Sequence, residues 1–158
     1  MVIDVYTDGS SLGNPGPGGF GCVVIVNGTE VTGGEGYPNV TNNQMELRGV
    51  IYALKSIQTA GLSNNRIVVH TDSKYVTDAF NQKWLESWQR RAWKTARGTP
   101  VLNKELWMEL LALTKSMNVS FVHVKGHAGQ KYNELCDQLA KMHAERVSSG
   151  GTNYFSNK

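Results

Sequence analysis

The sequence predicts an α/β domain in which helices sandwich a mixed sheet. Three observations carry that prediction. Apolar β-branched runs joined by hairpin signals open the chain, helical and strand periodicities alternate from about residue 42 onward, and the intervening helices are long enough to act as crossovers between parallel strands.

Residues 2 to 7 alternate Val2, Ile3, Val5 and Tyr6 as a strand, and Gly9 to Gly21 reads as a loop rich in Gly and Pro. Cys22 to Val26 is a second strand, Asn27-Gly28 a hairpin turn, and Glu30 to Tyr37 the antiparallel return. Beyond Pro38, Asn42 or Asn43 can cap a helix whose Leu47, Val50, Ile51, Leu54 and Ile57 share one face, ending near Gly61. Ile67 to Val69 reads as a buried strand closed by Thr71-Asp72-Ser73, a helix cap. Ser73 to Gln89 fits one or two short helices, followed by a basic turn region and a helix headed by Pro100 through Leu106, Leu110, Leu111 and Leu113. Val119 to Val124 forms the last strand and Gly126 to Gly129 a loop. A final helix spans about Gln130 to Val147 with Leu135, Leu139 and Met142 inward. The expected organisation is one domain over 1–147, with a basic region at about 83–104, and a tail over 148–158 with little to bury.

At 158 residues, 40% hydrophobic and 18% charged, the chain suits one soluble core. No stretch approaches the roughly 20 apolar residues of a membrane span, and the start lacks a secretory pattern, so the expected location is cytoplasmic. Two cysteines, Cys22 and Cys136, give neither a disulfide framework nor a zinc spacing. The net charge of +3 is unevenly spread: Lys83, Arg90, Arg91, Lys94, Arg97 and Lys104 face only Glu86 within residues 83–104. A basic patch attracts a polyanion, whereas a carboxylate cluster admits one only with metal present.

Gly16 to Gly21 formally matches a dinucleotide-binding fingerprint, but that motif must open a helix, and Cys22 to Val26 reads as a strand. The informative residues are Asp8, Glu46, Asp72 and Asp137, each at a junction between elements. Singly each has a bland account: an Asx-turn for Asp8, a favourable acid in the first helical turn for Glu46, a helix cap for Asp72, and an i,i+4 pair with Lys141 for Asp137. Together they make a set of hard oxygen ligands suited to magnesium or manganese. Two such ions can clamp the attacking and leaving oxygens of a phosphodiester. If the first and fourth strands are neighbours, Asp8 and Asp72 meet, and Glu46 arrives from the covering helix.

Tyr-Thr-Asp-Gly-Ser at 6–10, Gly-Asn-Pro-Gly-Pro-Gly-Gly at 13–19, Thr-Asn-Asn-Gln-Met-Glu-Leu at 41–47, Thr-Asp-Ser at 71–73 and Val-Lys-Gly-His-Ala-Gly at 124–129 resemble type 1 bacterial ribonuclease H. Trp-Lys-Thr-Ala at 93–96 and Asn-Glu-Leu-Cys-Asp at 133–137 fit the same pattern. The resemblance implies a ribonuclease H-like three-layer fold with a five-stranded sheet of order 3-2-1-4-5, its first three strands antiparallel. It implies a monomeric endonuclease that hydrolyses the RNA strand of an RNA–DNA hybrid, leaving 5′-phosphate and 3′-hydroxyl ends. Asp8, Glu46, Asp72 and Asp137 are then the ligands of Mg²⁺ or Mn²⁺, two ions with substrate bound, and no organic cofactor is needed.

The resemblance also implies that His127 assists proton transfer or product release. Asn14, Asn42 and Asn43 would contact the minor groove and Thr41 a phosphate of the DNA strand. Trp84, Arg90, Arg91 and Lys94 would meet the DNA strand from a basic handle, with Trp88 and Trp93 packing that handle. His70, His123 and His143 read as structural. The chain departs from the family pattern at Gln89, at Ala92 in place of a glycine, and at Lys74 in place of a glutamine. A silent hybrid-binding module would not be expected to keep all four carboxylates and His127, and a DNA integrase of the same broad fold would lack the Gly13-to-Gly19 loop and the handle.

Overall fold

A computed structural model describes residues 1–125 and 130–150, so His127 and the tail from residue 151 lie outside the described residues. The elements run β1 (Val2–Ser11), β2 (Gly16–Val26), β3 (Thr29–Val40), α1 (Asn42–Thr59), β4 (Arg66–Thr71), α2 (Lys74–Asn81), α3 (Trp84–Arg90), α4 (Lys104–Lys115), β5 (Asn118–His123) and α5 (Lys131–Ser148). They form one five-stranded sheet of order β3-β2-β1-β4-β5. β1, β2 and β3 pair antiparallel, while β4 lies parallel to both β1 and β5. Among the described residues no helix is long and apolar enough to cross a membrane.

Strand alternation assigns the two faces. On β2, a Cβ added at Gly18 would meet Val40 and Met45 on the α1 side, whereas one at Gly19 would meet Ala140 and His143 of α5. Adjacent strand residues point to opposite faces, so α1 and α5 sandwich the sheet between them. The main core lies on the α1 side, where Ile3, Val5, Ile67 and Val69 of the strands pack with Val50, Leu54 and Ile57 of α1 and Trp107 and Leu110 of α4. The first turn of α1 is closed by a capping box: Thr41 Oγ1 accepts from the Gln44 amide and the Gln44 side chain accepts from the Thr41 amide.

The expected Gly9-to-Gly21 loop is shorter than its composition suggests, because β1 continues to Ser11 and β2 begins at Gly16. Several of these glycines serve close packing instead. A Cβ at Gly19 would stand 2.6 Å from the Ala140 carbonyl oxygen, and one at Gly36 of β3 would stand 2.6 Å from that of His143. The same floor corrects the expected inward face of α5. Cys136, Ala140, Ala144 and Asn133 are buried there, while Met142 is 40% exposed and Leu135 and Leu139 are only half-buried. A glycine surface lets the helix axis come close, and only small side chains fit beneath it.

The basic region also departs from expectation. Pro100 heads no helix; it bridges to Lys94, and α4 starts at Lys104 after Asn103, at φ 61°. The turn is closed by Thr95 N donating to Thr99 O at 2.8 Å and Val101 N to Trp93 O at 3.0 Å. Ala92 and Trp93 both adopt left-handed backbone, φ 56° and 62°. Trp88 is the hub, its ring centroid 6.2 Å from those of Trp84 and Trp93 and 5.4 Å from that of Trp107. Trp84 therefore packs in the same aromatic chain as Trp88 and Trp93, partly buried against the core.

Candidate active site

The parallel pairing of β1 with β4 stops at Thr7 beside Thr71, so the next residues, Asp8 and Asp72, come together where β4 ends, while β1 itself runs on to Ser11. In open α/β sheets ligands collect at such ends, where the chain turns away to either face. Glu46 reaches them from α1. It lies beyond the first helical turn, which contains no acid, so the expected helix-dipole account of this residue does not hold. Gly9 permits the approach, since a Cβ there would stand 2.5 Å from both the Glu46 nitrogen and the Met45 carbonyl carbon.

One carboxylate oxygen from each of Asp8, Glu46 and Asp72 lies within 4.8 Å of the others. Asp8 is buried, and that burial, with the charges of Asp72 and Asp137, pushes its carboxyl up to about 8 despite the 2.9 Å bond from the Gly9 amide. Glu46 is raised well above the usual carboxylate range, first by burial and then by Asp8 and Asp72. Among the described residues its buried Oε1 has no hydrogen-bond partner. Clustered carboxylates that cannot all ionise lack positive charge among them, and hard dications supply it. The donor set fits a divalent metal.

Asp137 is differently placed. It hydrogen-bonds Asp8 and raises its pKa, but Asp137 Oδ2 also lies 3.0 Å from Lys141 Nζ, the i,i+4 pair expected of the sequence. Three carboxylates thus share one ion's reach, and the fourth flanks Asp8 with its own counter-ion.

Asn42 and Asn14 border the site through a shared network, with Asn42 N donating to Asn14 Oδ1 at 2.9 Å. Thr41 and Asn43, at the head of α1, are half-buried, and Arg90, Arg91 and Lys94 are exposed around the handle turn. Of the histidines read as structural, His70 pairs with Asp4 at 2.9 Å and stacks on Tyr6 at 4.3 Å, and His143 lies against Gly34, its pKa lowered chiefly by burial. His123 is exposed, its Nε2 3.2 Å from the Asp72 carbonyl oxygen. That contact, and the contacts of Ser11 to Asn42 at 2.7 and 3.0 Å, were missed in the sequence, because neither residue type marks a site and both partners are distant in the chain.

A mixed sheet with a carboxylate cluster at its parallel strand ends, completed from the covering helix, defines a metal-dependent nuclease scaffold. The sequence model of the family described as RNase H matches residues 2–145. The ribonuclease H of Oleidesulfovibrio alaskensis is 48% identical over 144 residues, covering 91% of each chain. That of Salmonella paratyphi C is 43% identical over 151 residues and 94% of each chain. Among solved structures, LC9-RNase H1, a type 1 RNase H with the type 2 active-site motif, matches with TM-score 0.81 at 35% identity, over 96% of this chain and 74% of that one. LC11-RNase H1 in complex with RNA/DNA hybrid shares the fold, with TM-score 0.72 at 24% identity over 92% of this chain and 98% of that one. The chain belongs to the ribonuclease H family, type 1, and is a metal-dependent nuclease.

Proposed function

We propose that the chain hydrolyses the RNA strand of RNA–DNA hybrids by two-metal-ion catalysis, leaving 5′-phosphate and 3′-hydroxyl ends. The observation that carries this is the convergence of Asp8, Glu46 and Asp72 within 4.8 Å. Magnesium, or manganese in its place, supplies Lewis acidity toward the attacking water and charge for the leaving oxygen. Asp8, Glu46 and Asp72 would hold the ions, and Asp137, beside Asp8, would complete the set from α5. His127, next to Gly126, carries protons at the site or speeds product release.

RNA is distinguished from DNA by its 2′-hydroxyl. Asn14, Asn42 and Asn43 read the minor groove, and Thr41, whose hydroxyl keeps its proton while accepting from Gln44 N, holds a DNA-strand phosphate. The exposed Arg90, Arg91 and Lys94 grip the DNA backbone, and Trp84 backs them from the aromatic chain of the handle. The catalytic domain is assigned to residues 1–147, with the handle at about 83–104 and a tail over 148–158, working as a monomer in the cytoplasm. The hybrid-bound relative of the same fold is consistent with this substrate.

The deciding experiment offers labelled RNA–DNA hybrid, double-stranded RNA and duplex DNA with magnesium, with manganese and with chelator. Only hybrid is cut, only with metal, and each product carries a 5′-phosphate. No cleavage of hybrid with either ion overturns the proposal, and equal cutting of duplex DNA overturns the 2′-hydroxyl selection.

A further inference from the structure

Ser11 closes β1 beside the head of α1. Its backbone N–H donates to Asn42 Oδ1 at 2.7 Å. Its hydroxyl lies 3.0 Å from that same oxygen and also against the Gly13 carbonyl, so one hydroxyl proton is shared between two acceptors. Asn42 N in turn donates to Asn14 Oδ1 at 2.9 Å. The turn between them is pinned by Leu12 N donating to Pro17 O at 2.7 Å, with Gly13 at φ 135°, a conformation that favours glycine.

An amide whose oxygen is held by a backbone N–H has its orientation decided, because the flipped form would set two donors against each other. Both asparagines are fixed this way, oxygen toward the protein. What remains for a ligand is the NH₂ group of each. A nucleic acid minor groove offers mainly acceptors: base N3 and O2 atoms and sugar oxygens, with the 2′-hydroxyl able to accept as well.

We propose that Ser11 is a positioning residue that fixes the Asn42 amide, so that Asn42 and Asn14 meet the hybrid as N–H donors only. The inference rests on the hybrid-binding reading of these asparagines. Ser11 touches no reacting atom; it acts through Asn42. An aspartate at 42 or 14 keeps the oxygen that each asparagine already uses and replaces only the outward NH₂ with a second oxygen.

The test combines three readouts: affinity for labelled RNA–DNA hybrid in chelator, kcat and KM for hybrid with magnesium, and thermal unfolding. Asn42→Asp and Asn14→Asp keep the wild-type unfolding temperature to within about 2 °C, since every bond within the network survives and an acid suits a helix start. Each weakens hybrid binding by about tenfold. Ser11→Ala weakens binding and raises KM by about threefold, with kcat little changed. Ser11→Thr, which keeps the hydroxyl, recovers most of that loss. In an Asn42→Ala background Ser11→Ala does nothing further.

Wild-type affinity in both aspartate variants, beside a wild type that cuts hybrid, overturns this inference while leaving the nuclease reading intact. So does a Ser11→Ala effect of equal size with Asn42 already removed. A wild type that neither binds nor cuts hybrid overturns both.

Discussion

Replacing Asp8 by asparagine removes a charge that the metal-free fold tolerates poorly. The ordinary carboxyl value is 3.8, and burial together with Asp72 and Asp137 pushes Asp8 up to about 8. At pH ~7 folding without metal therefore places a proton on a group that is ionised in the unfolded chain. Each unit separating that pH from the ordinary value is worth ~1.4 kcal/mol, which sets a ceiling of about 4 kcal/mol on the gain from Asp8→Asn. The asparagine Oδ1 can keep the bond from the Gly9 amide, so little is lost against that gain.

The sign follows from the folded value lying above the unfolded one. The contribution of Asp8 to stability is fully present below about pH 4 and is lost as pH rises toward about 8. The variant's advantage thus vanishes near pH ~4 and is largest near pH ~8. Part of the ceiling is given back because the buried asparagine amide must itself be desolvated, leaving ~2–3 kcal/mol. In a chain of this size that raises the unfolding temperature by roughly 5–10 °C.

Thermal unfolding by circular dichroism, with chelator, across pH ~4 to ~8, measures this directly. Adding magnesium then narrows the difference, because a ligand present at a hundred times its dissociation constant stabilises the wild type by about 2.7 kcal/mol and the variant by less. Cleavage by the variant falls to near background. A variant no more stable than wild type at pH ~8, or an advantage that shrinks as pH rises, refutes the account of a charge-frustrated carboxylate cluster.

Gly9→Ala forces β1 and α1 apart, because its Cβ meets backbone atoms at 2.5 Å; a loss of about 2–3 kcal/mol in urea unfolding is expected, with reduced cleavage from a displaced Glu46. Ala92→Gly relieves a left-handed residue at φ 56° and stabilises by about 0.5–1 kcal/mol in the same assay, with cleavage unchanged. Asp137→Asn lowers cleavage strongly but raises the unfolding temperature less than Asp8→Asn does, because Asp137 already has Lys141 as counter-ion. Removing divalent ions with chelator abolishes cleavage, and magnesium or manganese restores it.

Much of the site was legible because carboxylates next to turn-forming residues are conspicuous. Asp72 in Thr-Asp-Ser sits where β4 ends and Asp8 in Thr-Asp-Gly-Ser where that strand's pairing with β1 stops, and strand adjacency brings them together. Less legible were residues whose role is contact. Ser11 reads as one more turn serine until its N–H is seen on Asn42, 31 positions away. The glycines of β2 from Gly16 to Gly21 read as loop because composition reports flexibility and cannot report that a helix lies against them. Met142 fits helical spacing for the core, yet α5 turns Ala140 and Ala144 inward, since the surface it meets has no side chains to fill the space.

By itself the sequence determined the α/β class, the strand order implied by its motifs, the four carboxylates and the basic segment, because each follows from local periodicity, residue chemistry or linked motifs. Tertiary structure alone decided the reach of 4.8 Å that Asp8, Glu46 and Asp72 share and the approach of Asp137 to Asp8, and that burial pushes the Asp8 carboxyl up to about 8. Distances and desolvation arise only when distant segments pack together.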